Sequence, residues 1–214
     1  MTQKPQNRAK SVSDIIRYSP KVMKFSGPWF DSFGMPELGG CWLIWGNPGN
    51  GKTRFALQLC KHLTNFGRVA YNSLEEGLSL SFQTAIKNIG MTAVSRRFIL
   101  LDKEPVPDLR NRLKRQKSPD IVVVDSVQYS GLNKDTAKAL VDEFPRKLFV
   151  FVSHADGKNP AGRTAGAIRF HANVKLFIEG FRIPQPVSRY KEGICAPFTI
   201  WNEGAQKYWG ENID

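Results

Sequence analysis

Gly46 to Thr53, read as GNPGNGKT, has the composition of an anion cradle and fits the spacing GxxxxGK[ST]. Gly46, Gly49 and Gly51 let the backbone close around phosphate oxygens, with Asn47, Pro48 and Asn50 between them. The free amides at the start of the following helix, from Lys52 to Arg54, add positive dipole. Lys52 would reach the β- and γ-phosphates, and the Thr53 hydroxyl would sit on Mg²⁺. A nucleoside triphosphate, ATP, and Mg²⁺ are therefore the expected ligands.

Two further acidic positions extend this chemistry. Asp125 ends the apolar run IVVVD, so its carboxylate emerges at the strand end where ligands collect in open α/β sheets and can hold Mg²⁺. Phosphoryl transfer also needs a group to orient and deprotonate the attacking water. Glu75 and Glu76 in YNSLEEG lie just past another short apolar run. Adjacent carboxylates point differently, so only one of the pair is expected to serve.

The elements that must position these residues alternate between short apolar runs and helical patterns, as parallel βαβ units do. Strands are expected at Cys41 to Trp45, Val69 to Asn72, Phe98 to Leu101, Ile121 to Val124, Leu148 to Val152 and Val174 to Ile178. Ala56, Leu59, Cys60 and Leu63 mark the helix after the cradle, which Gly67 is expected to close. Further helices are expected around Leu80 to Ile89, from Pro107 to about Lys117, and from Lys134 to Phe144. Phe198 to Trp201 and Lys207 to Trp209 flank NEGAQ and read as a terminal antiparallel hairpin. Residues 1–36 are expected to form a tail and an irregular lead-in, with a short amphipathic segment capped by Ser13. Met1 to about Lys10 reads as mobile, and Trp29 and Phe30 are expected to pack on the domain. Residues 37–214 then form one catalytic domain.

The chain of 214 residues carries 31 Lys and Arg against 19 Asp and Glu, a formal net charge of +12. Such a surplus suits a polyanionic partner, with nucleic acid the leading class. The densest basic run, RNRLKRQK from Arg110 to Lys117, has the character of a solvated helix face with a secondary nucleic-acid or partner role. No apolar stretch approaches the roughly 20 residues of a membrane helix, so no membrane partner and a cytoplasmic location are expected. Cys41, Cys60 and Cys195 show no metal-ligand spacing, and the first two read as reduced core residues.

In their order these motifs resemble RecA-like ATPases, and within them the group containing the bacterial DNA-repair protein RadA (Sms), the DnaB-type replicative helicases and KaiC. YNSLEEG is similar to that group's SLE or SGEES phrase, whose glutamate activates water, and alignment on SLE selects Glu75. IVVVDSVQ resembles its Walker B phrase ending in Asp-Ser. FVSHADGKNPAG followed by FHANVKLFIEG is similar to a RadA stretch, which implies that His154 senses the γ-phosphate and relays its state to a DNA-binding loop. That loop would be ADGKNPAGRTAG, ordering on single-stranded DNA through Lys158 and Arg163. RYKEG stands where RadA has KNRFG, which implies that Arg189 and Lys191 complete the active site of an adjacent subunit in a hexamer or filament. The implied fold is a RecA-like α/β domain, a mostly parallel central sheet flanked by helices, with a C-terminal antiparallel hairpin. The implied function is an ATP-hydrolysing motor or switch acting on DNA, as a ring helicase or a recombination or replication mediator. The alternative is a KaiC-like regulatory ATPase that works through protein partners without DNA. Intact Lys52, Thr53, Asp125 and Glu75 argue against a non-enzymatic nucleotide-binding module.

Overall fold

Period-two alternation along the buried strands builds two separate cores, one on each face of a single sheet. Trp42 and Ile44 point to one face while Cys41, Leu43 and Trp45 point to the other. Ile121 and Val123 oppose Val122 and Val124 in the same way, as do Leu148, Val150 and Val152 against Phe149 and Phe151. Strands of this kind are apolar throughout because helices cover both faces.

The computed structural model describes residues 9–210. In chain order the elements are α1 (Val12–Ile16), α2 (Pro28–Phe33), β1 (Cys41–Gly46), α3 (Lys52–Leu63), β2 (Val69–Ser73), α4 (Leu80–Ile89), β3 (Phe98–Asp102), α5 (Val106–Leu113) and β4 (Ile121–Asp125). They continue with α6 (Lys134–Glu143), β5 (Leu148–Asp156), β6 (Asn159–Pro160), α7 (Gly162–His171), β7 (Val174–Ile178), β8 (Arg182–Ile183), β9 (Val187–Ser188), β10 (Phe198–Thr199) and α8 (Asn202–Trp209). The sheet runs β3-β2-β4-β5-β1-β7-β9, parallel from β3 through β7 and antiparallel where β9 joins β7, and β6 pairs antiparallel with the end of β5 off this path. Phe33 of α2, Phe55 and Leu59 of α3 and Phe82 of α4 fill the first core. Leu109 of α5, Leu140 of α6 and Ile168 of α7 fill the second.

All six expected core strands are present within a few residues of their expected bounds, as are the helices α3, α4, α5 and α6. The fold is the α/β architecture that the resemblance implied. Several local expectations differ. The cap of α1 is Ser11 rather than Ser13, with a reciprocal bond from Asp14. Gly67 does not close α3, which ends at Leu63. It instead lies where a Cβ would stand 2.7 Å from the Cβ of Asp120.

The lead-in is less irregular than its Gly and Pro content suggests. It contains α2, started by Pro28, and buries Met23, Phe25 and Phe33 in the main core, with Trp29 and Phe30 packed against them. The expected mobile tail falls mostly on residues 1–8, outside the described residues. C-terminal antiparallel pairing is present, but it joins Arg182–Ile183 to Phe198–Thr199. Lys207 to Trp209 lie in helix α8 rather than in a second hairpin strand.

Candidate active site

Parallel strands bring their C-terminal ends to one edge, and the register fixes which residues meet there. Gly46 at the end of β1 pairs with His154 of β5, while Asp125 of β4 pairs with Val152 of β5 and with Ser73 of β2. Because β5 lies between β1 and β4, His154 stands between the glycine loop and Asp125. Glu75 leaves the same edge two residues beyond Ser73, and its backbone N–H donates to the Asp125 carbonyl at 3.2 Å.

The loop from Gly46 to Gly51 is shaped for close approach. A Cβ on Gly46 would lie 2.5 Å from the Ile178 carbonyl oxygen, and one on Gly51 would lie 2.8 Å from the Phe181 ring. Gly51 also has φ of 97°, a left-handed conformation that turns the chain directly into α3. The free amides of the first turn of α3 therefore face the loop. Asn50 clamps the loop from outside. Its Oδ1 accepts from Gly180 N at 2.7 Å, and its carbonyl accepts from Phe181 N at 3.2 Å.

Lys52 Nζ donates to the Asn47 carbonyl at 3.0 Å, so the loop itself holds the cation. Burial lowers its pKa, and the carboxylates of Asp125 and Glu75 act in the opposite direction. A partly buried ammonium facing an open backbone cradle is a fit for phosphate oxygens. Thr53, in the first turn of α3, and Asp125 are the residues that would hold Mg²⁺, which when bound neutralises charge on the phosphates. Arg54, in the same turn, stacks its guanidinium 4.5 Å from the Trp201 ring centroid.

Asp125 is held by a residue that lies outside the sequence motifs. The buried Tyr71 hydroxyl donates to Asp125 Oδ2. Burial raises the Asp125 pKa to about 6; the Tyr71 bond and Lys52 lower it, and Glu75 and Glu76 raise it.

Glu75 and Glu76 have different surroundings. Ser126 Oγ donates to Glu75 Oε2 at 3.0 Å, and His154 Nε2 lies 2.9 Å from the same oxygen. A carboxylate only accepts, so the imidazole donates here. Among the described residues Glu75 Oε1 has no bonding partner and is free to accept a proton from water. Glu76 Oε1 instead accepts from Ser79 Oγ at 2.8 Å, at the cap of α4. The geometry thus brings Glu75, His154, Asp125 and Lys52 together, while Glu76 lies near enough to act on Asp125 but spends Oε1 on the α4 cap.

The segment expected to be a DNA-binding loop has more structure than that. Residues Gly157 and Lys158 make a two-residue turn between β5 and β6, and Trp45 Nε1 donates to the Lys158 carbonyl at 3.0 Å. Arg163 lies in the first turn of α7, a helix not expected from the sequence. Both side chains are exposed at the same sheet edge as Glu75. The basic run lies on and after α5, where Arg110 and Lys114 pair with Glu143 and Arg112 pairs with Glu104.

Arg189 and Lys191 are remote from their own chain's glycine loop. Arg189 N donates to the Asn173 carbonyl, and Asn173 N donates to the Cys41 carbonyl at the start of β1. Five residues of strand separate that end from Gly46, roughly 17 Å at about 3.3 Å per residue. Lys191 Nζ sits 4.2 Å from the Phe30 ring centroid. Cys41 and Cys60 are buried free thiols as expected, and burial raises the Cys41 pKa to about 11.

No protein-family profile matches the chain. It is 33% identical over 92 residues to the DNA repair and recombination protein RadB of Methanosphaera stadtmanae, a match covering 39% of this chain and 40% of that protein. The chain therefore spans well under half the length of this curated relative. Among solved structures, the flagellar accessory protein FlaH of Methanocaldococcus jannaschii superposes with a TM-score of 0.54 at 16% identity, covering 74% of this chain and 80% of that one. A KaiC-like protein of Pyrococcus horikoshii superposes with a TM-score of 0.52 at 17% identity, covering 67% and 73%. With its glycine loop, strand-end aspartate and sheet order, the chain has a RecA-like P-loop fold, similar to those of FlaH and the KaiC-like protein.

Proposed function

We propose that the chain hydrolyses ATP with Mg²⁺ and uses the cycle to act on single-stranded DNA, as a motor or a recombination or replication mediator. The observation that carries the hydrolytic part is Glu75, held through Oε2 by Ser126 and His154 while Oε1 is left for water. In the cycle, Lys52 and the amides at the start of α3 bind and orient the phosphates, and Tyr71 holds Asp125 in place. Glu75 accepts the proton of the attacking water, and His154 keeps the carboxylate aimed while lying one strand from the loop.

The DNA part is supported by exposed Lys158 and Arg163 beside that site and by the net charge of +12. The partial match to a DNA repair and recombination protein points the same way. The test is phosphate release with and without single-stranded oligonucleotide across a salt series. We expect stimulation that fades with salt, and Lys158→Ala/Arg163→Ala should reduce the log-log binding slope by about 0.7 for each lost contact. ATP turnover indifferent to DNA would instead favour the KaiC-like regulatory reading. The ion pairs that occupy Arg110, Arg112 and Lys114 are consistent with that reading, since they withdraw part of the positive charge from nucleic acid.

A further inference from the structure

We propose that Gln128 is a positioning residue for hydrolysis, fixing the end of β5 so that His154 stays on Glu75 and tying that pair to the helix that carries Arg163. The inference rests on the ATPase reading above. Gln128 lies in a 3₁₀ turn, Val127–Tyr129, immediately after β4 and Ser126. It is on the surface, so core packing does not account for its type.

Its amide makes three bonds at once. Nε2 donates to Ser153 Oγ at 2.8 Å and to the Ala161 carbonyl at 3.0 Å, and Oε1 accepts from His154 N at 3.3 Å. These partners fix which end of the amide is which. His154 N–H can only donate and the Ala161 carbonyl can only accept, so a flipped amide would lose both bonds.

His154 is thereby held from several sides. Gln128 takes its backbone N–H, while its carbonyl accepts from Ala161 N and Ser153 Oγ, both at 2.9 Å. Tyr129, the next residue of the turn, sets its ring edge-on to the imidazole with centroids 6.2 Å apart. Ser126, just before the turn, bonds Glu75 directly. One short segment after β4 therefore grips both members of the His154–Glu75 pair. Ala161 is the residue before α7, so displacement of that helix is transmitted to the same glutamine.

A residue that acts through His154 gives a specific kinetic signature. Steady-state ATP hydrolysis is measured for wild type, Gln128→Ala, His154→Ala and the double variant, with thermal melts to establish folding. Gln128→Ala should lower kcat about tenfold with KM within about twofold, and the double variant should be no slower than His154→Ala alone, because the two changes remove one interaction. Gln128→Glu keeps the acceptor for His154 N–H but loses both donors, so a smaller kcat loss is expected, and this variant carries the test if the alanine form does not fold. A folded Gln128 variant with unchanged kcat, or losses that multiply in the double variant, would overturn the proposal. Absence of hydrolysis in wild type is a separate result, which removes the ATPase reading itself.

Discussion

Asp125 depends on Tyr71 in a way that makes the tyrosine part of the site. The buried hydroxyl has one charged acceptor, and a ligating carboxylate is commonly oriented by such an outer partner. Tyr71→Phe should therefore raise the Mg²⁺ concentration for half-maximal hydrolysis about tenfold. It should also lower stability by about 1 kcal/mol, the usual value of one lost hydrogen bond. An unchanged Mg²⁺ requirement would separate Tyr71 from metal binding. Lys52 and Thr53 were legible as candidates because a phosphate cradle imposes local spacing on its residues, and Asp125 because it ends the apolar run IVVVD. Tyr71 and Ser126 were not, since their partners lie 54 and 51 residues away and only the sheet brings them together. Separating Glu75 from Glu76 needed the family likeness, because the residues alone left the pair open.

At the scale of elements, α3 is tied to the lead-in by a histidine placed among aromatic rings. His62 stacks on Trp29 with centroids 4.3 Å apart and meets Phe25 edge-on at 4.6 Å. Burial lowers its pKa to about 4. The folded state thus refuses a proton that the unfolded chain accepts below about 6.5. This contribution to stability is complete above that pH and is lost as pH falls towards 4. Asp125, whose pKa is raised, acts in the opposite sense over an overlapping range. The informative quantity is therefore the difference between two melting curves. His62→Phe should lose less Tm than wild type between pH 7 and pH 5, and equal losses would exclude His62 as the titrating group. The phrase GRTAG has weak helix propensity, yet α7 forms because Ala165 and Ile168 pack into the core. Tyr208 and Trp209 read as strand residues but lie against Gly180, where a Cβ would come within 2.3 Å of Tyr208.

For the whole molecule, the position of Arg189 and Lys191 bears on assembly. Both lie at the end of the sheet opposite their own glycine loop, so neither can serve that loop within one chain. We propose, from the likeness of RYKEG to KNRFG, that they complete a neighbour's site, and this predicts complementation. Mixing Arg189→Ala/Lys191→Ala with Lys52→Ala should recover part of the activity, because some interfaces then pair an intact loop with intact cations. No recovery despite subunit exchange, or full activity in a strict monomer, would refute it. The hydrolytic reading requires that Glu75 remove the proton from the attacking water in a working P-loop site. It is tested most directly by measuring nucleotide affinity and steady-state phosphate release for wild type, Glu75→Gln and Glu76→Gln. Proton removal by Glu75 predicts turnover in wild type, and Mg-ATP binding retained in Glu75→Gln with turnover reduced by about 10²- to 10⁴-fold. It also predicts a much smaller loss in Glu76→Gln. An active Glu75→Gln beside an inactive Glu76→Gln, or no turnover in wild type, would contradict it.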